Sequence, residues 1–260
     1  MTSGAQITAH SLSLSSITES TWAVAANDGL IGGRLALDLD QTTEAVVDGG
    51  VTLSLAPEVD EDGSVNAGLV IEAMDWTDAS VLLDMADGNI KGLAKNTEQG
   101  QALEGFELGW TQIDLVRNTI ASLGSSATGK TPVTVGAQPD KSIGLVQVSA
   151  ASFDGPGDTT GENAGVQGSV MSSLVGLHIS NIEHNVQAFV ANATLDVDAL
   201  NVYALNETNH VANGKIALNR GTGSTDVWLD GVDLTSSGAL ALIAQDLSNY
   251  KATSEGFSAD

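Results

Sequence analysis

Stretch after stretch of the chain alternates apolar and polar residues with a period of two. "GRLALDLDQ" from Gly33, "VTLSLAPEV" from Val51 and "GLVIEAMDW" from Gly68 do so in the first third. "IGLVQVSAAS" from Ile143, "GLHISNIEH" from Gly176 and "ALNVYALNE" from Ala199 follow later. Alternation sends successive side chains to opposite faces of an extended backbone, so each stretch predicts a strand with one buried face. Gly, Asn and Asp break the stretches apart, and sustained i, i+3, i+4, i+7 stripes are lacking. The chain reads as all-β.

The alternation also repeats. Asn192, Ala193, Leu195, Leu200, Val202, Ala204, Asn206 and Asn209 align with Gly231, Val232, Leu234, Leu240, Leu242, Ala244, Asp246 and Asn249, given one inserted residue near Gly238. Phe189 then falls on Trp228. Gly4, Ala5, Ile7, Leu12, Leu14, Ser16, Thr18 and Thr21 follow the same pattern without a gap. Half-copies stand at Leu35/Leu37/Leu39, Leu69/Ile71/Ala73, Val146/Val148/Ala150 and Leu177/Ile179/Asn181.

Each unit is a short strand, a turn residue (Asn192, Gly231 or Gly4), a second short strand, then the alternating one. Such units cannot bury a core singly, but stacked units fill a narrow interior with small aliphatic side chains. An aromatic content of 4% fits an interior of that width. The expectation is therefore one domain over residues 1–260, a parallel β-helix (β-solenoid) with irregular loop insertions. Its clearest repeats span 4–25, 185–211 and 224–253, and Leu200, Val202, Leu240 and Leu242 should point inward. A β-sandwich or barrel is the alternative, because short alternating strands describe those as well.

Charge narrows the partners. Nine basic residues face 33 acidic ones, for a formal net charge of −24, a surface that repels nucleic-acid backbones and anionic membranes. The chain contains no Cys, which removes disulfide and thiolate chemistry. "MTSGAQITAHSLSLSS" has neither a basic n-region nor an apolar h-region, so it does not read as a signal peptide. No run approaches 18 apolar residues, so no membrane-spanning helix is expected. Three origins fit: an intracellular protein, export through another signal, or a piece internal to a longer chain.

"NVQAFVANATLDVDALNVYALNETN" (Asn185 to Asn209), "STDVWLDGVDLTSSGALALIAQDLSNYKAT" (Ser224 to Thr253) and "GAQITAHSLSLSSITES" (Gly4 to Ser20) carry a shared cadence. It resembles the repeat regions of giant secreted bacterial adhesins and exoproteins, both filamentous-haemagglutinin-like and repeats-in-toxin-related. The matches cover roughly the first 25 and the last 75 residues. The resemblance implies a non-enzymatic, extracellular or cell-surface stalk of stacked coils, with no catalytic residues to carry over. Its implied partners are neighbouring repeats of the same or identical chains, and a cell-surface glycan or protein. Two other classes compete: a carbohydrate-active β-helix enzyme or tailspike-like depolymerase, and a structural subunit of an extracellular filament or phage.

Local motifs are few. "GSSATGKT" (Gly124 to Thr131) fits the phosphate-loop pattern, which needs a strand before it and a helix after it. Pro132 and "VTVGAQ" follow instead, so it reads as a plain loop. Glu58, Asp60 and Asp62 precede Gly63 at alternate positions like a calcium loop, but Leu69 stands where a bidentate Glu belongs. Calcium is thus the one ion with a candidate loop, and no cofactor is expected.

Asp38/Asp40 and Asp196/Asp198 pair carboxylates on one strand face, and the basic side chains Arg34, Arg117 and Arg220 are scattered. These read as wet strand faces rather than an acid–base pair. His10, His178, His184 and His210 lack metal-binding spacing and read as surface or rung residues. Asn192-Ala-Thr194 and Asn206-Glu-Thr208 fit the glycosylation pattern, but an Asn at a turn needs no sugar to explain it.

Overall fold

The computed structural model describes residues 4–27, 32–59, 61, 66–84, 108–127, 129–139, 141–154, 166–171 and 175–254. Among these residues there is no helix, and the chain makes five passes of strands. The first pass is β1 (Gln6–Ala9) and β2 (Leu12–Asn27). The second is β3 (Gly32–Val47), β4 (Thr52–Leu55) and β5 (Leu69–Asp84). The third is β6 (Leu108–Gly124), β7 (Val133–Ala137), β8 (Leu145–Asp154) and β9 (Val166–Met171). The fourth is β10 (Val175–Val197), β11 (Ala199–Glu207) and β12 (Asn209–Gly214), and the fifth β13 (Ile216–Ser236), β14 (Leu240–Asp246) and β15 (Asn249–Ser254).

Every pass enters a seven-stranded sheet and then an eight-stranded one, and the strands pair in parallel. Parallel pairing keeps like residues in line from pass to pass. Leu12 pairs with Leu69, Leu69 with Val146, Val146 with Leu200 and Leu200 with Leu240. Leu14, Ile71, Val148, Val202 and Leu242 make the next column. Ile7, Leu53, Val135, Leu195 and Leu234 do the same in the other sheet. Except for Leu240 and Leu242, these columns belong to the larger apolar cluster, and a smaller one gathers Leu37, Ile113, Leu115, Ile182, Ala79 and Val81.

The repeat alignment is reproduced residue for residue. Ala193 pairs with Val232 while Leu200 pairs with Leu240, so one residue is gained at the corner holding Gly238. Phe189 stacks on Trp228 with ring centroids 4.3 Å apart. The turn residues are those the pattern named: Gly4, Asn192 and Gly231 all have positive φ. Asn192, at φ 49°, is the only non-glycine among the described residues to do so, and Asn tolerates that region better than most side chains.

Three expectations need correction. The strands are not short: β10 runs for 23 residues, because the ladder continues through a bend at Asn192 that still pairs on both sides. The half-copy Leu177/Ile179/Asn181 has the wrong parity. His178 and Ser180 are buried in that strand, since their polar atoms find partners inside, and apolarity therefore misled.

Leu240 and Leu242 do share the inward columns, yet they are 50% and 45% exposed while Leu200 and Val202 beneath them are 1% and 0%. Nothing among the described residues lies beyond the fifth pass. Leu200→Ala is accordingly expected to cost about 2–5 kcal/mol and Leu242→Ala about 1 kcal/mol. Urea unfolding of the two variants measures the difference, and equal costs would mean that the fifth pass is covered.

Candidate functional site

The two apolar clusters are separated by a polar stripe running along the stack. It starts from a repeated motif, polar-x-polar, where each alternating strand ends. Thr18/Ser20, Asp75/Thr77, Ser152/Asp154, Asn206/Thr208 and Asp246/Ser248 are its five copies. Thr18, Asp75, Ser152, Asn206 and Asp246 stand in one column by register. Facing them from the other sheet are Gln41, Arg117, His184 and Gly223, also in register.

Hydrogen bonds cross the interior between the two columns. Gln41 Nε2 donates to Asp75 Oδ1 at 2.8 Å, and Thr77 Oγ1 donates to the same oxygen at 2.8 Å. Ser20 Oγ donates to Gln41 Oε1 at 3.0 Å. One pass further along, Arg117 is fully buried and its guanidinium donates to three acceptors: His184 Nδ1 at 3.1 Å, the Phe153 carbonyl at 2.9 Å and Asp154 Oδ1 at 2.9 Å.

Those bonds fix the proton positions. Arg117 Nε–H can only donate, so His184 Nδ1 accepts, and the neutral His184 ring carries its proton on Nε2. His184 Nε2 lies 2.8 Å from His210 Nε2, which must then accept. His210 is left with its proton on Nδ1, aimed at Asp154 Oδ2 at 3.6 Å. Arg117, His184, His210 and Asp154 thus form a directed chain bent into a ring, whose last step, His210 Nδ1 to Asp154, is a 3.6 Å polar contact and too long for a hydrogen bond. The two imidazoles also stack, centroids 5.0 Å apart.

Burial dominates the titration of the ring. It pushes both histidines well below their ordinary range, and the Arg117 charge pushes the same way. The same burial pushes the Asp154 carboxyl up to about 6, against the pull of Arg117. Tyr250 lies over the ring, 4.9 Å from His210 centroid to centroid. It fits because Gly221 has no side chain: a Cβ there would stand 2.0 Å from Tyr250 Cζ. Outside the ring, His178 is held by Thr111 and Ser180 at 2.6 and 2.7 Å, and burial pushes it down to about 4. Both nitrogens of His184 are hydrogen-bonded internally, and His210 is held through Nε2 while its buried Nδ1 makes no hydrogen bond, so the arrangement ties the third pass to the fourth.

The motifs named from the sequence lie elsewhere. Gly124 to Thr131 connects β6 to β7, a strand on each side, and Lys130 pairs with Asp48 at 2.9 Å on the surface. There is no helix N-terminus to hold a phosphate. Of the calcium-like loop, Glu58 is exposed, while Asp60 and Asp62 lie outside the described residues. No group of three or more metal-ligating side chains occurs among the described residues.

Asp38 and Asp40 are exposed on the outer face of the first sheet. Asp198 instead ties a corner together, accepting from Gly144 N at 3.1 Å and Ser237 Oγ at 3.2 Å. His10 alone of the histidines is a surface residue, and Asn206 is buried at 2% exposure, out of reach of any glycosylation.

The buried ring was the feature missed. Its signal was the recurring polar-x-polar pair after each apolar alternation, together with Arg117 and His184 at matching places on their strands. Comparison of the chain with family models, with curated proteins and with solved structures finds no match.

Proposed function

We propose that the chain is a β-solenoid segment that serves as a non-enzymatic structural or adhesive element of a large bacterial surface or secreted protein. The observation that carries the reading is the unbroken register of the inward columns, exemplified by Leu12, Leu69, Val146, Leu200 and Leu240 across all five passes. In an array of this kind each pass is stabilised by its neighbours, and length can vary without redesign. The long acidic outer faces suit an exterior setting, where net charge of −24 keeps the array soluble. The buried charges support the same reading, because their hydrogen bonds hold passes to one another.

One observation favours the carbohydrate-active alternative. On the outer face of the first sheet Trp110 is 38% exposed with Arg34 over its ring, 4.9 Å from the centroid. Asp114, Asn181, Glu183 and Arg220 line a depression of about 290 Å³ on β6, β10 and β13 of the same sheet. Aromatic and carboxylate side chains together are what a sugar needs.

Two experiments test these readings. Inserting a second copy of residues 175–214 after Gly214 is expected to give a folded protein of equal or greater stability. A collapse of cooperative unfolding would sink the solenoid reading. Incubation with neutral and acidic polysaccharides is expected to leave their chain length unchanged. Depolymerisation abolished by Glu183→Gln or Asp114→Asn would replace the structural reading with the enzymatic one.

A further inference from the structure

We propose that the two outermost edges of the described stack are complementary halves of one joint, so that copies of this 260-residue chain stack head to tail in register, each taking the place that a further pass of a longer polypeptide would occupy. The proposal rests on the solenoid reading. Among the described residues, β14 of the fifth pass pairs only with β11 and β15 only with β12. Leu240 and Leu242 there are about half exposed. In the first pass, again among the described residues, β1 pairs only with β4 and β2 only with β5. Trp22, in the column of Ala79, Val166, His210 and Tyr250, is 46% exposed. Each edge, as the described residues leave it, presents unpaired N–H and C=O groups and part of an apolar interior, the combination that recruits further strands.

The occupant follows from the direction of the ladder. A strand in a parallel sheet turns one side to the preceding pass and the other to the next. The free side of β14 is therefore the side that the free edge of β2 completes, and only a head-to-tail contact continues the parallel pairing. Extending the observed register by one step sets Leu240 on Leu12, Leu242 on Leu14 and Tyr250 on Trp22 of the next copy. Charge allows it: Asp246 meets Thr18 and Asp233 meets Gln6, so these carboxylates of one edge face neutral residues of the other. Among the described residues β1 begins at Gln6, so the first half of β13 has no counterpart and the other three columns make the joint. A contact between different patches does not close on itself, and the product is an open filament. The net charge opposes it at low ionic strength, and added salt screens that repulsion.

The absence of Cys from the chain makes a clean test. Ser15 and Ile243 both point outward in one column and are exposed. In the joint their Cα atoms would lie one strand spacing apart, about 4.8 Å, within disulfide reach. Ser15→Cys and Ile243→Cys proteins are mixed under mild oxidation across a salt series. Cross-linked pairs between the two variants, increasing with salt, are expected, with none from either variant alone. Disulfides of Ser15→Cys with itself would mean that like ends meet, and would overturn the polarity. Equal cross-linking of Glu72→Cys with Tyr203→Cys, which lie inside the stack, would mean lateral contact and overturn the joint. No cross-link at any salt would overturn it too, and the solenoid reading would survive provided the inserted pass still folds.

Discussion

Arg117→Met is expected to cost about 3–5 kcal/mol, the largest loss of any single substitution in the polar stripe. The size comes from what remains behind rather than from what is removed. Asp154 is left with a side chain 4% exposed and only the Asn209 N–H to hold its charge. The Phe153 carbonyl and His184 Nδ1 lose their donor as well. Asp154→Asn in the same background removes the stranded charge while keeping an acceptor for Asn209, so the double variant should lose clearly less than the sum of the singles. Thermal or urea unfolding of the four proteins gives the coupling. Additive losses would mean that the ring is not a unit.

The variant also has a pH signature. Without Arg117 the Asp154 carboxyl loses its main stabilising charge and its folded pKa rises further above the unfolded value. A carboxyl raised in this way holds an extra proton in the folded state, so Arg117→Met should regain stability as the pH is lowered from 8 towards 6. Wild type, whose Asp154 is protonated only near 6, should not show that gain over the same range.

The stack was legible in the sequence and the stripe was not, for a physical reason. Apolar columns announce themselves because a strand with Leu, Ile and Val at alternate positions is stable in water only when that face is covered. The alignment of Leu200 with Leu240 needed nothing more. A polar residue at an alternate position is ambiguous: Asp38 is exposed and Asp75 is buried, although both sit in strands of similar composition. Partners decide which way such a residue faces. Those of Asp75 are Gln41 and Thr77, and those of Arg117 are on β8 and β10, far away along the chain. Parallel stacking brings them together, and the recurring polar-x-polar pair marks where the stripe runs without naming the partners across the interior. The lack of exposure at Leu200 and the exposure at Leu242 have a similar origin, since both residues sit in the same pattern and differ only in whether another pass lies over them among the described residues.

Acid should weaken the fold between about pH 6.5 and pH 4, and His178 gives the clearest part of that loss. In the unfolded chain an ordinary histidine takes up its proton near 6.5, whereas folded His178, fully buried, does so only near 4. Between those values the unfolded chain binds the extra proton, so stability falls with pH at about 1.4 kcal/mol per pH unit. The loss from this residue reaches about 3 kcal/mol by pH 4 and then levels off. His184 and His210, also depressed by burial, push in the same direction and continue lower. Asp154 and Asp75 oppose them, because burial raises both carboxyls and the folded state gains protons as the pH falls. Asp154 lies beside the ring histidines and offsets part of their effect. His178 hydrogen-bonds only to two hydroxyls, so its contribution stands apart. His178→Gln should therefore narrow its stability deficit against wild type as the pH drops from 7 to 4, by about 3 kcal/mol. Urea midpoints at half-unit steps measure it, and a deficit that stays constant across the range would mean that folded His178 titrates like a solvated histidine and is not buried as described.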